Sequence, residues 1–135
     1  MKKTLLKSAS MLLVLVCVLS TLSIFPSAKA AEIEPRFTGI ASLAASLDIS
    51  SSGCASCYGR VTPYSGYKVT LEVELQRDGK TIKSWSDTNK DTFSIDEIYY
   101  VTPGHDYQVV VTATVYNSSG RIVETPTTDS AVVSY

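Results

Sequence analysis

The sequence predicts an all-β fold, an antiparallel sandwich of about seven strands, on three observations. Two ten-residue segments alternate apolar and polar side chains: "YKVTLEVELQ" from Tyr67 to Gln76 and "YQVVVTATVY" from Tyr107 to Tyr116. Period two over that length is the mark of a strand with one dry face and one wet face. Turn-forming clusters recur between further segments of the same kind, at the spacing of about eight to twelve residues that short loops between sheet strands produce. Finally, the chain beyond its first thirty residues is long enough for one hydrophobic core and too short for two.

Those first thirty residues, "MKKTLLKSASMLLVLVCVLSTLSIFPSAKA", have the three parts of an export leader: Lys2, Lys3 and Lys7, an apolar stretch from Met11 to Phe25, and the small-residue exit Ala28-Lys29-Ala30. Cleavage is expected between Ala30 and Ala31. A membrane anchor would need about 20 apolar residues, whereas this run is shorter and interrupted by Ser20, Thr21 and Ser23. Cys17 lies mid-run behind Val16, not at a lipid-attachment position. The expected organisation is a signal peptide over 1–30, a short lead over 31–36 and one domain over 37–135.

Within the domain the strands are expected in this order. Ile40–Ile49 places Ala41, Leu43, Ala45, Leu47 and Ile49 in phase; its "ASLAASL" could also form a helical turn by propensity, but the apolar period is two. Ala55–Thr62 follows "SSSG", with Ala55, Cys57, Gly59 and Val61 inward and Ser56, Tyr58 and Arg60 outward. Tyr67–Gln76 comes next, and "RDGK" (Arg77–Lys80) is a hairpin turn whose Asp-Gly pair tolerates positive φ. Thr81–Ser86 and Thr92–Tyr99 are weaker strands. Tyr107–Tyr116 is the second long one, with Val110 on its polar face predicting partial cover there. After the "NSSG" turn comes a C-terminal pair of strands split by Pro126.

"VTPGHDYQVVV", Val101 to Val111, resembles the end-of-strand corner of fibronectin type III and immunoglobulin-like domains, in which a Pro-Gly turn leads into a tyrosine followed by alternating apolar residues. The resemblance implies an immunoglobulin-like sandwich in which Tyr107 begins the sixth strand and its hydroxyl meets a backbone group a few residues upstream, a tyrosine corner. Across the domain, "GCASCYGRVTPYSGYKVTLEVELQ", "TIKSWS" and "YYVTPGHDYQVVVTATVYNSSGRIVET" are similar to a family of small exported single-domain proteins of Gram-positive bacteria whose function is unassigned. That similarity implies a signal peptide plus one sandwich and carries no catalytic or binding residues with it.

The resemblance also places Cys57 where immunoglobulin domains keep their second-strand cysteine. The partner position, two residues after the corner tyrosine, is Val109, so the usual cross-sheet disulfide has no second thiol. Cys54 is the remaining partner. In an extended strand it would lie about 10 Å from Cys57, three steps of roughly 3.4 Å, beyond the limit of about 7 Å for bridging. A Cys54–Cys57 disulfide therefore needs a turn at Ala55-Ser56, which the flanking Gly53 makes possible; export favours the oxidation and strand geometry opposes it. The alternative is a buried free Cys57 and a half-exposed free Cys54. Thiol redox chemistry would need the Cys-x-x-Cys at a helix N-terminus. Zinc would need a second ligand pair beyond two thiols and the single His105.

Other candidates are few. Asp87, Asn89 and Asp91 fall at the first, third and fifth positions of a calcium loop, but Thr92 stands where glycine is required and Ile98 where glutamate is; a solvated turn accounts for the same residues. His105 sits in the Pro-Gly turn beside Asp106 with no evident nucleophile, and Asp96 and Glu97 face opposite sides of a strand, so no enzyme is expected and no cofactor. Tyr58 and Tyr116, outward in phase, Trp85, out of step with Ile82, and Tyr64, Tyr99, Tyr100 and Tyr135 near strand ends could form an exposed aromatic binding face; strand propensity for tyrosine and a core Trp85 behind a bulge are the favoured explanation. Asn117-Ser118-Ser119 fits a glycosylation sequon, for which a turn suffices.

Charge narrows the partners. The leader holds four of the twelve basic residues and none of the thirteen acids, which leaves residues 31–135 with eight against thirteen, a net charge of −5. Its basic residues are scattered, which argues against nucleic acid and other anionic partners. The expectation is a secreted or cell-wall-associated, non-catalytic binding or structural module, monomer or weak dimer, without a membrane span once the leader is removed, that meets an envelope glycan or protein through a sheet face or loops. A small effector or inhibitor acting through the Thr62–Gly66 loop, "TPYSG", is the alternative; a thiol redox or metal protein using Cys54 and Cys57 comes third.

Overall fold

A computed structural model describes residues 36–135. The leader, Cys17, the Ala30–Ala31 cleavage position and most of the 31–36 lead lie outside the described residues. Phe37–Tyr135 forms one compact unit.

Nine strands, β1 (Ile40–Ile49), β2 (Cys54–Pro63), β3 (Lys68–Arg77), β4 (Lys80–Asn89), β5 (Phe93–Tyr100), β6 (Asp106–Tyr116), β7 (Ile122–Glu124), β8 (Thr127–Asp129) and β9 (Val133–Ser134), make two antiparallel sheets packed face to face. One has the order β1-β2-β5. The other has the order β4-β3-β6-β7, with β8 and β9 also paired to β6. The two alternating segments are the central strands: the β3 residues Val69, Leu71, Val73 and Leu75 and the β6 residues Tyr107, Val109, Val111, Ala113 and Val115 are all buried, facing Ala55, Cys57 and Val61 of β2 and Ile95 of β5. Each polar position between them faces outward, so the sequence alternation maps directly onto the two faces of each sheet.

Two departures from the expected phases have one cause. On β1 a bulge between Ile40 and Ser42 shifts the register, so Ile40 is buried and Ala41 exposed, and the inward set from there on is Leu43, Ala45, Leu47 and Ile49. On β4 the register slips between the Leu75–Lys83 and Gln76–Thr81 pairs, leaving Ile82 as the extra residue. An inserted residue inverts the phase beyond it, which is why Ile82 and Trp85 can both pack against the core.

Turns follow local chemistry. Asp78 (φ 49°) and Gly79 (φ 82°) both take positive φ, the pairing a two-residue hairpin loop requires to match strand twist. The C-terminal edge is broken twice, at Pro126 and at Ser130, so three short strands stand where two were expected. Ser130 is buried, and its side chain completes the ladder where β8 has ended: its Oγ accepts the Val109 N–H at 2.9 Å and donates to the Ala131 carbonyl at 2.9 Å. At the other end of this edge the Glu124 carboxylate accepts the N–H groups of Thr38 (3.0 Å) and Gly39 (2.6 Å), tying the start of the domain to β7.

Candidate functional site

The β2 segment that carries "GCASC" is an unbroken strand, paired on one side with β1 (Ala55 opposite Ile49, Cys57 opposite Leu47) and on the other with β5 (Cys54 opposite Tyr100, Cys57 opposite Glu97). The turn that a Cys54–Cys57 bridge would require is absent. Both cysteines are free thiols, Cys57 buried in the core and Cys54 half-buried on the outer face. Burial, and after it the negative charge of Asp96, pushes the Cys57 thiol up to about 11. That is the opposite of the activation a thiol nucleophile needs.

Tyr107 is buried at the start of β6. Its hydroxyl donates to the Thr102 carbonyl at 2.7 Å and accepts the Thr102 N–H at 3.2 Å, so a phenol without access to water is fully partnered inside the turn.

The same pole of the sandwich holds a polar cluster that sequence reading missed. Asp78 Oδ2 lies 2.6 Å from His105 Nδ1, Asp78 Oδ1 accepts the Asp106 N–H at 3.0 Å, and the Asp78 N–H donates to the Asp106 carbonyl at 2.8 Å. The Asp106 N–H, then His105, hold the Asp78 carboxyl below its ordinary range. Ser134 donates to Asp106 Oδ1 at 2.6 Å, not to His105, so the hydroxyl, imidazole and carboxylate do not line up as nucleophile, base and orienter. The cluster ties the β3–β4 hairpin to β6 and β9. The sequence marked the Asp-Gly turn and, separately, His105 beside Asp106, but nothing local joined Asp78 to a histidine 27 residues away.

Asp87 and Asn89 lie near the end of β4 and Asp91 beyond it. Asp87 Oδ1 accepts the Thr88 N–H, and Asn89 Oδ1 accepts those of Lys90 and Asp91, so these oxygens cap their own turn. Among the described residues no group of three or more His, Cys, Asp and Glu side chains is placed to hold a metal ion.

The aromatic residues do not form one face. Tyr58 points outward from β2 in the three-stranded sheet and Tyr116 outward from β6 in the other, so they stand on opposite sides of the sandwich. Tyr116 instead lies under Lys68, whose Nζ is 5.3 Å from the ring centroid. Trp85 lies opposite Val73, on the inner side of β4, half-buried at the margin of the core. What the fold does gather around Tyr58 is a platform. Cys54 faces Tyr100, Ser56 faces Ile98 and Tyr58 faces Asp96 across the β2–β5 ladder, while β1 contributes the small residues Ser42, Ala44 and Ser46 to the same outer face. Tyr100 is 74% and Ile98 59% exposed. Alternation alone pointed to Tyr58; Ile98 and Tyr100 become its neighbours only through the β2–β5 register.

No known family model matches the chain, and no curated protein matches it in sequence. Among the described residues, no helix is long and apolar enough to cross a membrane.

Proposed function

We propose that this protein is a non-catalytic binding module that works outside the cell, secreted or held at the cell envelope, and that it engages a glycan or protein there through the outer face of the β1-β2-β5 sheet. One observation carries the reading: Ile98 and Tyr100, large apolar side chains on a strand whose outward positions could be polar at no cost to the core, are presented side by side next to Tyr58. Flat aromatic surfaces of this kind stack on sugar rings or anchor partner proteins. Export rests on the three-part leader.

The strand order supports a fibronectin type III-like relationship in preference to a constant-type immunoglobulin one, because β4 joins β3 and not β5. The bonds of Tyr107 to Thr102 support the wider immunoglobulin-like class, in which such a tyrosine corner recurs. A loop-borne effector or inhibitor has one observation in its favour, Tyr64, 48% exposed within "TPYSG".

The test is retention. An Ile98→Ser, Tyr100→Ser double variant, altered only at exposed positions, is expected to keep its melting temperature and to move from the cell-wall fraction into the medium. Full retention of the variant would refute the sheet-face reading, and wild-type protein found only in the medium would favour the effector.

A further inference from the structure

The two sheets end side by side at β4 and β5, each the terminal strand of its sheet and, among the described residues, unpaired on its outer edge. Between them runs a groove of about 490 Å³ lined by Trp85, Ser86, Asp87, Ser94, Asp96 and Glu97, with Ile95 at its base. Three of these side chains are carboxylates and none is basic. Lys83 extends over Trp85 with its Nζ 6.0 Å from the ring centroid, so the indole face already has a cation beside it, supplied by the chain itself. The phases of the two strands fix where a ligand's side chains would go. Trp85 and Asp87 lie opposite Val73 and Leu71 on the inner side of β4, and Glu97 lies opposite Cys57 on the inner side of β5.

From this we infer that the groove binds an extended basic peptide segment, which adds to the free edge of β5 and directs every second side chain, lysine or arginine, between Trp85 and the carboxylates of Asp87 and Glu97, with Asp96 on the groove's outer rim. Main-chain pairing to the sheet edge supplies affinity, and alternate side chains supply specificity. The ring face and the carboxylates favour a cation over a neutral or acidic side chain. Lys83 is the internal competitor that an incoming cation displaces from the ring. The net charge of −5 on residues 31–135 draws a basic partner in and repels an acidic one. The groove meets the Tyr58–Ile98–Tyr100 platform at Asp96, which lies opposite Tyr58, but Ile98 and Tyr100 do not line it, so the two readings are tested by different variants.

Trp85 is the only tryptophan in the protein, so its fluorescence reports on this groove directly. Purified protein is titrated at low and high salt with a blocked hexapeptide of alternating lysine and threonine, with its glutamate-for-lysine counterpart, and with a peptide of the same composition whose lysines are contiguous. The expected result is a saturable change with the alternating peptide that weakens as salt rises, a weaker one with the contiguous peptide and none with the acidic one. Asp96→Asn with Glu97→Gln, both exposed, should weaken binding at least about fivefold at low salt. Lys83→Gln should tighten it about twofold to fivefold by removing the competitor. An unchanged spectrum, an equal response to the acidic peptide, or full affinity in the doubly neutralised variant with its melting temperature intact would overturn the site. Equal binding of the contiguous peptide would overturn the strand-added geometry. A fluorescence change that tracks protein concentration without peptide would assign the groove to a second copy of this chain and overturn the peptide.

Discussion

Asp78 shows how much one side chain can connect. It takes the left-handed conformation at the hairpin tip, accepts from Asp106, faces His105 and is held below its ordinary value of 3.8 by those contacts, the Asp106 N–H first. A carboxyl depressed on folding adds stability that is complete above its unfolded value and is lost as pH falls through the lower folded value. Asp78→Asn is therefore expected to be less stable than wild type at neutral pH, with the difference shrinking only below about pH 4. Urea midpoints of the two proteins from neutral pH down to about pH 2 measure this, and a difference that stays constant across that range would assign the effect to the turn and not to the charge. The sequence displayed Asp78 only as a turn former. Its partners lie 27 and 28 residues away, a separation no local pattern encodes.

At the level of the element, the long strands were the most legible part of the chain. Tyr67–Gln76 alternates without interruption and Tyr107–Tyr116 with the single exception of Val110, and both sit at the centre of their sheet, with β3 Val69–Leu75 paired residue for residue to β6 Val115–Val109. The edges were harder to read, because edge strands bulge or break to avoid pairing with other chains and each irregularity inverts the alternation. The Ile40–Ser42 bulge, the extra Ile82 and the Ser130 gap are all of this kind. The platform shared by Tyr58, Ile98 and Tyr100 was illegible for a related reason: it is a product of cross-strand register. Ser130 permits a direct test of how a broken edge is completed. Ser130→Ala would leave the buried Val109 N–H without its acceptor, and the expected cost is about 1–3 kcal/mol, read as a lower urea midpoint with unchanged slope. A loss under about half a kcal/mol would mean that water or backbone movement replaces the hydroxyl.

Over the whole molecule, the spacing of the two sheets depends on Gly59 at the middle of β2. A Cβ added there would lie 2.6 Å from Val73 Cγ2 and 2.9 Å from Val111 Cγ2, both in the opposite sheet. Because both valines are fully buried and a contact of 2.6 Å forces something to shift, Gly59→Ala is expected to destabilise the domain by about 1–3 kcal/mol through overpacking. Adding Val73→Ala should recover part of the loss, making the double variant more stable than the sum of the two single effects. Chemical denaturation of all four proteins measures the coupling; strict additivity would mean that the sheets separate freely at this point. The polar turns lie at the two poles and the core between them, so the ends of the domain are widely separated. Ile40 begins β1 opposite Pro63, at the pole where Glu124 holds Thr38 and Gly39. β9 finishes at the other pole, where Ser134 meets Asp106 and the Tyr135 hydroxyl donates to the Ser51 carbonyl. Tension applied between those ends would run along the strands, loading the β1–β2 ladder in shear, with its bonds sharing the force at once instead of opening in turn.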